Sequence, residues 1–145
     1  MTAANLAGQA ICITQTTAAH AFSYKVTSLY GLPHGHAVAV CLHHIWEHMD
    51  AHLDKCIDGR GVEYLKNIFL DIAQALGCTT VSMAIILFRQ MLDEMQILQP
   101  RSKNMDKDLY ILSSSVNPVR LKNNPVELDV ETIQSLYSVI VEYFI

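Results

Sequence analysis

Residues 18–39 read Ala-Ala-His-Ala-Phe-Ser-Tyr-Lys-Val-Thr-Ser-Leu-Tyr-Gly-Leu-Pro-His-Gly-His-Ala-Val-Ala. Gly31-Leu32-Pro33 divides this stretch in two. Glycine readily takes the left-handed conformation that ends a helix, and proline disfavours a helical residue before it. The sequence therefore predicts a helix that stops near Tyr30 and another that opens at His34. A connection this short makes the two helices antiparallel neighbours. His20 lies on the first, among the small residues Ala18, Ala19 and Ala21, and His34 lies at the start of the second.

Working outward, apolar spacing is helical nearly everywhere, and no alternating stretch is long enough to predict a strand. Upstream, the first helix candidate runs from about Ala3 to Tyr30, with Thr14, Thr16 and Thr17, poor helix formers, as a weak point in its middle. Downstream, the helix opened by His34 should continue to about Leu53. Asp58-Gly59-Arg60-Gly61 is a loop. A third helix, about Val62 to Leu76, places Leu65, Ile68, Phe69, Ile72 and Leu76 on one face, and Gly77 suits its end. Thr79 or Thr80 is positioned to cap a fourth, with Val81, Ile85, Phe88, Leu92 and Met95 as its stripe. A fifth carries Leu109, Leu112 and Val116, and Asn117-Pro118 ends or kinks it. Asp129 caps a last helix with Ile133, Leu136, Tyr137, Ile140 and Phe144 inward. The expected fold is all-α: one antiparallel multi-helix bundle over residues 1–145.

The composition narrows the function classes. The chain is 51% hydrophobic and only 17% charged, against about a quarter charged in ordinary soluble domains. The surplus apolar surface predicts packing against another domain or self-association. A net charge of −4 without a Lys/Arg cluster argues against nucleic acid and anionic membrane as partners. No apolar run reaches membrane-spanning length, and the start lacks the basic segment of a signal peptide. Cys12, Cys41, Cys56 and Cys78 are widely spaced with no CxxC pair, which predicts reduced thiols in a cytoplasmic protein.

All seven histidines fall in the first 52 residues. A rigid turn can aim His20 and His34 at one point, and imidazole suits Fe(II), Zn(II) and Cu(II). Two ligands alone do not complete a site. His44, His48 and His52 form a second set, spaced to line one helix face. No HExxH accompanies them, and with Glu47, Asp50 and Asp54 close by the plainer reading is a solvated polar face.

The blocks Ala3–Gly8, Thr16–Tyr24 and Tyr30–Ala39, with the tail Ser115–Val126, resemble the iron-containing (Fe-type) alcohol dehydrogenase family over essentially the whole chain. Its signature has a helical His followed fourteen residues later by a second His between Pro and Gly, as His20 and Pro33-His34-Gly35 are here. The His34–Ala39 block looks most like the branch that includes phosphonate-pathway alcohol dehydrogenases. The resemblance implies a C-terminal helical metal-binding domain whose partner, an N-terminal α/β domain, binds NAD(P). It implies His20 and His34 as two of four metal ligands, with Fe(II) or Zn(II) bound. The Asp-xxx-His pair that supplies the other two has no match in this chain, and the glycines form no phosphate-cradling cluster. Many members carry another active-site His where this chain has Tyr24, a phenol whose ordinary pKa near 10 makes it a poor proton shuttle.

The expectation is therefore a metal-dependent oxidoreductase domain, inactive as an isolated chain. The alternatives are a non-enzymatic self-associating helical module, and part of a Zn-dependent glycerol dehydrogenase or synthase relative.

Overall fold

The Gly31–Pro33 turn forms as its chemistry dictates. Gly31 takes the left-handed conformation, φ 67° and ψ 22°, which carries little steric cost without a Cβ. Pro33 is extended at φ −55° and ψ 139° and directly precedes the next helix. In this computed structural model, which describes residues 1–144, helix α2 (Ala18–Tyr30) thus folds back on α3 (His34–Ala51). Ala18, Ala19, Phe22 and Val26 of α2 share the core with Ala37, Val40, Cys41 and Ile45 of α3, all of them buried.

The upstream helix breaks at the threonines, as their low propensity predicts. Helix α1 (Thr2–Ile13) ends before them, and α2 starts only at Ala18. Not one residue of α1 is buried. Beyond α3, a short 3-10 turn at Leu53–Lys55 leads through the Asp58–Gly61 loop to α4 (Val62–Ala75), and α5 (Val81–Glu94) follows. Thr80 caps α5 by accepting a hydrogen bond from the Met83 amide. Trp46 of α3 sets the spacing of this layer, its ring edge-on to Phe69 of α4 and Phe88 of α5. Ile72 and Met95 of the expected stripes are exposed. Buried Ala73 takes the core position beside Ile72.

Helix α6 (Met105–Ser115) follows, capped by Asn104, then a one-turn α7 (Pro118–Leu121), capped by Asn117, and finally α8 (Val130–Ile140), capped by Asp129. Asn117-Pro118 therefore starts a helix as well as ending one. Proline is tolerated there because the first helical N–H has no partner to lose. Val116, expected on the fifth helix, is already extended. Helix α8 completes the core. Fully buried Tyr137 stacks on Phe22 at 4.5 Å between ring centroids, and its hydroxyl donates to the Phe22 carbonyl at 3.1 Å. Burial pushes that phenol well above its ordinary pKa, so it stays a neutral donor.

The last residues depart from the helical expectation. Strand β1 (Arg101–Ser102) pairs in parallel with β2 (Glu142–Tyr143). The Glu142 amide donates to Pro100 and the Phe144 amide to Ser102, both at 2.8 Å. This pairing draws the chain out of helix after Ile140, so Phe144 leaves the core stripe and is exposed. The same segment anchors α6. Buried Ser102 and the Tyr30 hydroxyl both donate to the Asp108 carboxylate, at 2.6 and 2.9 Å, which ties the end of α2 to α6. Among the described residues no helix is long and apolar enough to cross a membrane.

Candidate metal cleft

The α2–α3 turn places His20 and His34 as neighbours. Their rings meet edge to face, with centroids 5.5 Å apart. Tyr24, one turn along α2 from His20, stacks on His34 at 5.3 Å and 22°. The phenol and His20 thus occupy one face of α2 at the i, i+4 spacing that brings helical side chains together. His20 is partly buried and His34 exposed, so the pair sits at the wall of an open cleft.

The other wall comes from the far end of the sequence. Arg120 of α7 donates from Nη1 to the Tyr24 hydroxyl at 3.0 Å, and its guanidinium carbon lies 4.8 Å from the Tyr24 ring centre. Asn123 donates to Gln15 at 2.7 Å and closes one edge. The cleft has a volume of about 690 Å³ and is also lined by Thr14, Thr16, Asn117 and Val119. Burial, then the nearby His34, then Arg120 hold His20 below the usual imidazole range. His20 is therefore neutral near pH 7, the form in which a histidine donates to a metal.

The donor set fits two of a metal ion's ligands. Two imidazoles from two packed helices face one volume. No carboxylate or thiol lines the cleft among the described residues, and Arg120 adds a positive charge. A cation held here needs anionic donors from residues outside this cleft.

The second histidine set does not converge. His48 and His52 stack on each other at 4.1 Å, and His52 Nδ1 contacts the His48 carbonyl of its own helix at 2.9 Å. Nor is this face simply solvated. His44 is half-buried and held by the Gln99 amide, and burial, reinforced by His43 and Arg89, lowers its pKa to about 4.

Residues 1–141 match the model of the Fe-containing alcohol dehydrogenase family, C-terminal. The chain belongs to the iron-containing alcohol dehydrogenase family. A phosphonoacetaldehyde reductase of Streptomyces viridochromogenes is 36% identical over 84 residues. The aligned stretch covers 57% of this chain and 21% of that relative's length. No solved structure gives a significant match. The all-helical fold agrees with the sequence reading. Arg120 is the cleft residue that reading did not single out. The Asn117-Pro118 pair is a legible helix start, but nothing in the spacing shows that the turn behind it faces Tyr24, about a hundred residues away in sequence.

Proposed function

We propose that this chain supplies half of a metal centre for NAD(P)-linked interconversion of an alcohol and an aldehyde. His20 and His34 are the proposed ligands, and the observation that carries the reading is their convergence on one cleft in a domain of this family. A bound Fe(II) or Zn(II) supplies Lewis acidity toward the substrate oxygen. The chain's own residues orient. Tyr24 fixes the His34 ring by stacking, and Arg120 holds the Tyr24 hydroxyl by donating to it. That bond keeps the phenol's own proton free to point into the cleft toward a substrate oxygen. Arg120, Asn117 and Asn123 make the far wall cationic and polar. That wall suits a substrate with an anionic group, of the kind named in the Streptomyces relative.

The remaining ligands and the nucleotide site belong, on this reading, to an N-terminal α/β domain outside these 145 residues. The two short strands described here cannot form a dinucleotide-binding unit. Helix α1 supports such a partner: Leu6, Ile11 and Ile13 are exposed apolar side chains on a helix with no buried residue. A second copy of the chain is the competing occupant of that surface. Four free thiols suit a reducing cytoplasm.

An NAD(P)H-oxidation assay with phosphonoacetaldehyde and added Fe(II) or Zn(II) tests the reading. The chain alone should give no turnover. Adding the N-terminal domain of the Streptomyces reductase should give turnover that His20→Ala and His34→Ala each abolish. Turnover by the chain alone would contradict the shared-site reading, and turnover indifferent to both substitutions would remove the ligand assignment.

A further inference from the structure

Two and a half turns along α3 from His34, three more metal-binding side chains meet. His43, His44 and Glu47 each offer one ligand atom, and these atoms all lie within 4.8 Å of one another. At 1.5 Å of rise per residue the cluster lies about 13 Å along the helix from His34. It is therefore separate from the His20/His34 cleft.

We propose that His43, His44 and Glu47 form a second divalent-metal site of the Zn(II) class. Two imidazoles and one carboxylate are a ligand set that Zn(II) takes with a further position open to water. The Gln99 amide nitrogen donates to the Val139 carbonyl at 2.9 Å and to His44 Nε2, and a metal ion bound through that ring nitrogen would take the place of the second of these contacts. His43 is buried and Glu47 exposed, so the cluster runs from the core edge to solvent and leaves an approach open.

The charges around the cluster are of both signs. A hollow of about 230 Å³ beside the two histidines is lined by Arg89, Asp93, Arg101 and Glu142. Arg101 and Glu142 pair with each other at 3.2 Å. That leaves Arg89 against two carboxylates, Asp93 and Glu47. His43 and Glu47 stand at i, i+4, and the adjacent His44 joins them.

The test uses chelator-stripped full chain, titrated with Zn(II) by calorimetry at pH 7. Glu47 is exposed, so Glu47→Gln keeps the fold and carries the test, and His44→Ala is a second variant checked by circular dichroism. Loss of a metal's supporting residue typically costs about 10- to 100-fold in affinity, and loss of a ligand should cost at least as much. The expected result is one Zn(II) equivalent weakened at least that far by Glu47→Gln and kept by His20→Ala/His34→Ala. Zn(II) should also raise the melting temperature of the wild type more than that of Glu47→Gln. No Zn(II) binding by the wild type, or binding unchanged by Glu47→Gln, would overturn the proposal.

Discussion

Helix α1 and the α2–α3–α8 sector are both rich in apolar residues, yet they are built in opposite ways. The sector buries Phe22, Val26, Ile45, Tyr137 and Ile140 completely or nearly so. It also holds its turn with a left-handed glycine and a proline. Helix α1 buries nothing, has no side-chain cap at its start, and has about the length below which an isolated helix is marginal in water. The lesson is that apolar content alone does not locate a core. The sector places His20 beside His34, whereas α1 leaves its apolar side chains exposed.

The strongest way to break this contrast is to empty the sector. Tyr137→Ala removes a fully buried ring that stacks on Phe22 and donates to its carbonyl. A loss of about 3–5 kcal/mol in unfolding free energy is expected, measured by denaturant titration. A loss below about 1 kcal/mol would show that the sector is not the rigid part.

Acidification probes the same sector. His20, His43, His44 and His48 all have folded-state pKa values lowered, chiefly by burial. Their unfolded values lie near 6.5. Below that pH the unfolded chain takes up protons that the folded chain refuses, so stability falls as pH falls. The fall should continue toward pH 4, where His44 itself is protonated. Asp50, raised by burial, works in the opposite sense for a single proton. In the presence of chelator the melting temperature should therefore be lower at pH 5 than at pH 7.5. An unchanged or higher value at pH 5 would mean these imidazoles are solvated when folded.

The smallest effect is expected from α1. Leu6→Ser and Ile13→Ser should each change the stability of the isolated chain by less than about 0.5 kcal/mol, because exposed positions contribute little. The same changes should weaken association with a partner domain, read by analytical ultracentrifugation of the mixture. A large loss of stability in the isolated chain would place α1 in the core.

How far each region can be read from the sequence follows the same division. Gly31-Leu32-Pro33 is legible because glycine and proline act locally, and it alone sets His20 beside His34. Thr80 and Asp129 are legible as caps for the same reason. The limits appear where distant segments meet. The stripe of α8 is correct through Ile140 but fails at Phe144, because pairing of Glu142–Tyr143 with Arg101–Ser102 overrides helical periodicity. Arg120 reaches Tyr24 across 96 positions of sequence, and no local pattern encodes that approach. His43 and Glu47 are an i, i+4 pair that the spacing does offer, but the longer His44, His48, His52 row dominates the sequence pattern instead.

The central claim is that His20 and His34 are metal ligands that do not suffice alone. The direct test is an anaerobic Fe(II) titration of chelator-stripped Glu47→Gln protein, which removes the second candidate site, with and without His20→Ala/His34→Ala. The account predicts weak binding that the double substitution abolishes. Binding of the same strength in both proteins would contradict it.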